Sequence, residues 1–457
     1  MRDKIIKILI LLFSFNISNH AIDTLQVKEI GPGVLYLKLA DPLRPLSIDV
    51  LKVDLKNDNN YVDVLIPHDT LGVGGLTLSQ MSKYFSKQGK NIIAGVNGDF
   101  FGGEPIQIQN SSFVSGELIK GRNLNRSILM IDENKIPSID RFKFGGIINI
   151  GEKIYKLSSF NDINPKTEIA LVSNKFKNFV EDFHPYKYEI RLVSEFDINK
   201  EMKFEIVRDN DSSINNYFLF SKHSLNEFKS TNEFTINLSF DGIENKPFLM
   251  IGGLPGLFKN SRLTHDFYGV ENLRSEKFIS KNPRTAAGFN ELKDTLTLVV
   301  VDGRRPNHSM GMNLYELSRL MKMLGCTDAI NLDGGGSSTM VIRDSVINKP
   351  SDFTGERVIY NSLMILSKNI NEKSLNVEPK FKEIMSNNTI DFDIKVVDEW
   401  GYETQLDSSK IKLSVEGLEG RIKNLYEFFP KTQGMADLIW QYGNLTDTTK
   451  VVVIPGE

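Results

Sequence analysis

Apolar residues recur with a short period early in the chain. Val34-Leu35-Tyr36-Leu37-Lys38-Leu39 and Ile48-Asp49-Val50-Leu51-Lys52-Val53-Asp54-Leu55 read as half-buried strands within a sheet-rich stretch from Asp23 to about Ala40 and from Leu46 to Ile66. The period then lengthens. Leu78, Met81 and Phe85 fall at helical spacing behind Thr77, with Gln80 as the partner of a capping box and Gly89 as the stop, and Ile92 to Val96 follows as a short buried strand. The same order returns downstream: Asn313 and Glu316 cap a helix carrying Leu314, Leu317, Leu320, Met321 and Leu324, Gly325 ends it, and Ala329-Ile330-Asn331-Leu332 is a strand. Two instances suggest a weak duplication, although chance recurrence of a helix-strand unit explains them equally.

Ahead of the second helix, the continuous apolar run Leu296-Thr297-Leu298-Val299-Val300-Val301 reads as a strand buried on both faces. Strand, helix and strand within this length predict a right-handed crossover between parallel strands, with Asp302 and Asp333 leaving one carboxyl edge. The expected fold is therefore an α/β (mixed α+β) catalytic domain over residues 23–368, with a mixed sheet and flanking helices. Residues 150–244 add strands and long loops with no evident chemistry. After Leu366 the short alternating segments Thr389 to Val397, Lys410 to Val415 and Thr448 to Ile454 predict a small all-β sandwich, Ig-like, over 370–457.

Composition narrows the class. With 40% apolar and 25% charged residues the chain is globular, and 55 basic against 58 acidic residues leave no positive surplus for nucleic acid. Met1 to Lys4 carries positive charge ahead of the apolar run Ile5 to Phe15, and small or polar residues lead to Ala21, so residues 1–21 read as a signal peptide. Export to the periplasm or the extracellular space is expected, with no integral membrane segment once the peptide is removed. Cys326 is the sole cysteine, so no intramolecular disulfide forms, and its apolar setting after Gly325 predicts an inert buried thiol.

The candidate chemistry gathers where strands end. Asp333-Gly334-Gly335-Gly336-Ser337-Ser338 has the composition that lets backbone N–H groups converge on an anion, yet no Lys follows and a strand replaces the helix of a P-loop, which disfavours ATP hydrolysis. Asp302-Gly303-Arg304 follows the buried strand, Arg284 and Thr285 precede another, and a planar guanidinium suits bidentate phosphate binding. Asn97-Gly98-Asp99 shares the strand-exit logic. His308, five residues beyond Gly303, is able to donate to phosphate, although a lone loop histidine is more often polar surface.

Four ordered segments carry a resemblance: Ala94 to Phe101, Pro283-Arg284-Thr285-Ala286, Val300-Val301-Asp302-Gly303-Arg304 and Asn331 to Thr339. Together with Ile251-Gly252-Gly253-Leu254-Pro255, they are similar to the signature segments of the phosphodiester glycosidase family, over roughly residues 25–367. The chain departs from the family at Asp99, where many members carry a second glycine, and in Pro105 to Gln109, which lacks a glycine common after the proline. The resemblance implies hydrolysis of a sugar-1-phosphodiester, with N-acetylglucosaminyl phosphodiesters in a surface or host glycan among the implied substrates.

The expected reaction is attack by water at an anomeric carbon with a phosphate monoester leaving. A monoester whose second pKa is about 6 departs as an anion and needs less protonation than a sugar alcohol. Asp333, Asp302 and Asp99 are the candidate catalytic carboxylates. Asn97, Gly98, Arg284, Thr285, Gly303, Arg304, Gly334, Gly335, Gly336, Ser337 and Ser338 are the candidate substrate and phosphate contacts. No cofactor is required, while the three carboxylates leave open a divalent cation such as calcium, and with it a metal-dependent phosphodiesterase. A non-catalytic phosphoglycan-binding protein is the third reading.

Overall fold

A computed structural model describes residues 22–455 apart from 179–183, 209–215, 265–266, 272, 274–279, 387 and 424–425. The expected signal peptide lies outside the described residues. The chain divides into two compact units, one formed by residues up to Phe85 and Ile92–Leu366, the other by Ser86–Asn91 and Ser367–Glu457.

The first unit is mostly β, which corrects the α/β expectation. Thr295–Val301 does not lie next to Asp328–Asn331. It runs antiparallel to Ser47–Asp54 on one side and to Arg284–Phe289 on the other, and Arg284–Phe289 pairs antiparallel with Asp328–Asn331 in turn. These strands are the centre of an eight-stranded sheet. Their apolar runs have the signature of burial on both faces, and that signature is the same for parallel and antiparallel neighbours. The helix Leu314–Met323 therefore crosses over one intervening strand. Its two flanking strands still point the same way, so Asp302 and Asp333 leave the same edge, with the start of Arg284–Phe289 between them.

Both capping boxes form. Asn313 accepts from Glu316 N while the Glu316 carboxylate accepts from Asn313 N, and Gln80 and Thr77 exchange the same pair of bonds at the start of Leu78–Ser86. The earlier helix leads to Asn91–Asn97, which belongs to a separate five-stranded sheet and pairs with Met340–Ile342. Residues 143–241 supply most of a 13-stranded sheet. Its alternating strands bury Phe144, Phe160, Phe204, Phe234 and Phe240 in one core, which explains the phenylalanine-rich composition of that stretch.

The second unit is built in its described residues from strands and one short 3-10 turn, Ser408–Lys410, in sheets of two, four and three strands. Trp440, Tyr442, Phe428 and Val377 are at its core.

Candidate active site

Asn97 joins the two sheets. Wholly buried, its amide accepts from Thr285 Oγ1 at 2.7 Å and from Thr339 N at 3.1 Å, and donates to the Asp333 carbonyl at 2.6 Å. Asp333 N donates to the Gly98 carbonyl at 2.9 Å, so the strand exits at Asn97 and Asp333 are locked together. Thr285 and Asn97 thus hold the scaffold of the site.

The three carboxylates have different surroundings. Asp99 is buried and accepts from Asn110 N and Asn110 Nδ2, each at 2.8 Å. Burial pushes its pKa up, against those bonds and the nearby Arg126 and Lys120 cations. Asp302 is also buried and accepts from His308 Nε2 at 2.7 Å, Asn348 Nδ2 at 2.9 Å and Lys349 N at 3.0 Å. Asp333 alone is half-buried. Enough protein surrounds it to push its pKa to about 6, with Asp99 adding to the rise, while the Ser337 hydroxyl, the Gly334 N–H and the Arg357 cation oppose it. Gly334 N bonds to Asp333 Oδ1 at 2.9 Å. Ser337 faces the carboxylate without a hydrogen bond of normal geometry, and the buried hydroxyls of Ser337 and Ser338 have no partner among the described residues.

The glycine-rich segment turns through a short 3-10 bend, Gly335–Ser337. Gly335 has φ +64, and a Cβ there would lie 3.0 Å from an Arg304 guanidinium nitrogen. Gly336 lies under a bidentate pair, with Arg357 Nε to Asp352 Oδ2 at 2.7 Å and the Arg357 terminal nitrogen to Oδ1 at 3.0 Å. A Cβ on Gly336 would approach Asp352 Oδ1 to 2.0 Å, so a side chain there would have to displace that pair or the turn.

Arg304 is exposed, adopts φ 60, and is steered by Asn282 Oδ1 at 3.0 and 3.2 Å. A bulky residue in the left-handed region is held at a cost of about 1–3 kcal/mol, and such residues cluster at functional sites. Arg284 is buried and donates to the Met312 and Ser280 carbonyls; burial, then the neighbouring Arg304, lowers its pKa to about 10. The edge between Asp302 and Asp333 is therefore cationic, with the two carboxylates two strand spacings apart, roughly 10 Å between their backbones.

Sequence reasoning put Asp302 and Asp333 at one sheet edge; the structure places both there and brings Arg284, at the start of the intervening strand, between them. That reasoning did not find Asn110, Asn348, Arg357, Asp352 or Asn361, the last of which accepts from Asp99 N at 2.7 Å, because these side chains reach the site from other segments without a local motif. Among the described residues no three His, Cys, Asp or Glu side chains are arranged to hold a metal ion. Asp99 and Asp302 instead spend their oxygens on protein donors.

Residues 188–366 match the phosphodiester glycosidase family, and three of the four signature segments lie within that span. A segment of 69 residues, 15% of this chain, is 41% identical to N-acetylglucosamine-1-phosphodiester alpha-N-acetylglucosaminidase of Bos taurus and covers 12% of that enzyme's length. Two solved structures share the fold. A Synechocystis protein aligns at TM-score 0.58 with 14% identity over 77% of this chain and 64% of its own. A Burkholderia pseudomallei K96243 protein described as exported aligns at 0.53 with 21% identity over 72% of this chain and 74% of its own. The likeness is to a family of glycosidase type and runs over residues 188–366, less than half of the chain.

Proposed function

We propose that the protein is an exported hydrolase that cleaves the glycosidic bond of a sugar-1-phosphodiester. Asp333 carries the reading: it is the one carboxylate of the three that solvent reaches, its pKa is pushed to about 6, and it shares a sheet edge with Arg304 and Arg284. Arg304 and the Gly335–Ser337 turn, with the unpartnered hydroxyls of Ser337 and Ser338, suit the phosphate. Asp333 then stabilises or attacks the anomeric carbon as positive charge develops there. The N-acetylglucosaminyl phosphodiester named for the bovine relative is the first substrate to try. Export to the periplasm or extracellular space is supported by the leader-like N-terminal pattern and by the Burkholderia protein's description.

The test is turnover of a panel of sugar-1-phosphodiesters in heavy-oxygen water. Label in the released sugar, at the anomeric hydroxyl, marks C–O cleavage and supports the reading. Label in the phosphate, together with chelator sensitivity, would replace it with a metal-dependent phosphodiesterase. Binding of every substrate without turnover would leave a phosphoglycan-binding protein.

A further inference from the structure

Water activation falls to neither Asp302 nor Asp99. Asp302 is 1% exposed and its oxygens already accept from His308, Asn348 and Lys349. Asp99 is 3% exposed and held by Asn110. His308 is open where Asp302 is closed, since its side chain is 26% exposed and it meets the carboxylate through Nε2 at 2.7 Å. A carboxylate oxygen only accepts, so Nε2 is the protonated nitrogen, and the neutral ring then presents Nδ1 as a lone pair. Among the described residues the ring's one hydrogen bond is this one through Nε2.

We propose that His308 is the general base of the hydrolysis and Asp302 its positioning residue. The inference rests on the glycosidase reading above and adds to it the group that activates water.

The surrounding loop holds the pair rigid. His308 N donates to the Arg305 carbonyl at 2.9 Å, Ser309 N to the same carbonyl at 2.7 Å, and Ser309 Oγ to the Asp302 carbonyl at 2.5 Å. Asn348 Nδ2 bonds both Asp302 Oδ1 and the Ser338 carbonyl at 3.1 Å, which ties the pair to the glycine-rich turn. Asp302 and Asp333 flank the start of Arg284–Phe289, so the His308–Asp302 pair and the Asp333 carboxylate belong to the same sheet edge. In the step, Nδ1 takes a proton from water as the water oxygen bonds to the anomeric carbon. The bond from that carbon to the phosphate oxygen breaks, and its electron pair leaves with the phosphate. Asp333 offsets the positive charge on the sugar.

Kinetics on a phosphodiester and on the glycosyl fluoride of the same sugar test this, because both substrates need an activated water and only one has a phosphate. His308→Ala is expected to lower kcat by about 10²–10⁴-fold on both substrates with little change in KM, and added imidazole to restore part of the rate. In Asp302→Asn the Asn348 and Lys349 donors hold the amide oxygen and turn its NH2 toward Nε2. This forces the proton onto Nδ1, and kcat is expected to fall by about 10⁴-fold without imidazole rescue. Combining the two substitutions is expected to cost little more than the worse alone, as for groups that act as a unit. Circular dichroism checks folding, and His308→Gln is read in place of any His308→Ala protein that fails to fold. Near-normal kcat in the His308 variant, or a loss confined to the phosphodiester, would overturn the proposal while leaving the glycosidase reading intact. Failure of the unaltered protein to hydrolyse either substrate would overturn both.

Discussion

Ionising Asp333 costs the folded state free energy, because its pKa stands near 6 against an ordinary 3.8. The folded chain binds this proton more tightly than the unfolded chain, so stability falls as pH rises from about 4 to about 6 and stays lower above that. The difference is worth up to about 3 kcal/mol. Asp333→Asn is therefore expected to lower kcat by orders of magnitude yet raise Tm at pH 7.5, with the two melting curves converging near pH 4. A Tm unchanged at pH 7.5 would show that the carboxylate is not under electrostatic strain. Because the ionised form serves the anomeric centre, kcat/KM should climb with pH through about 6. Arg304→Lys keeps the charge but loses the planar fork, so it should weaken binding and turnover of phosphodiesters while sparing the glycosyl fluoride. Equal losses on both substrates would mark Arg304 as a structural residue.

Both helices start and stop at the caps and glycines that the sequence marks, and the strands after them carry the site. Thr77 with Gln80 and Asn313 with Glu316 start helices, Gly89 and Gly325 stop them at φ 88 and 93, and the following strands deliver Asn97 and Asp333. The turn that follows Asp333 depends on Gly336, which lies beneath the Asp352–Arg357 pair. Gly336→Ala should displace that pair or the turn, lowering Tm by several degrees and phosphodiester turnover with it. Normal melting and normal kinetics would show that the pair moves aside freely. These motifs were legible because each is a local rule, a cap, a stop or a glycine-rich exit. Asn110, Asn348 and Arg357 were not, since their roles arise from contacts 11, 46 and 21 residues or more away in sequence. No spacing signals such contacts.

At the scale of the molecule, the two compact units meet in sequence at Leu366 and Ser367. Every residue assigned to the site lies before that boundary. A chain ending at residue 368 is expected to remain folded and to hydrolyse the same substrates at comparable kcat, and an insoluble or inactive truncation would tie the second unit to the first. The α/β expectation failed for a definite reason. The run Thr295–Val301 reports burial on both faces, but whether its neighbours are parallel is decided by which strand comes between, here Arg284–Phe289. That pairing is a long-range choice that local periodicity cannot encode. By itself the sequence determined the strand and helix ends, the glycine-rich exit and the acidic and basic residues at each strand mouth, because capping, turn chemistry and burial act within a few residues. Only the tertiary structure decided that Asp302 is closed off behind His308 while Asp333 stays open. Burial and hydrogen-bond partners depend on which distant segments fold over each carboxylate.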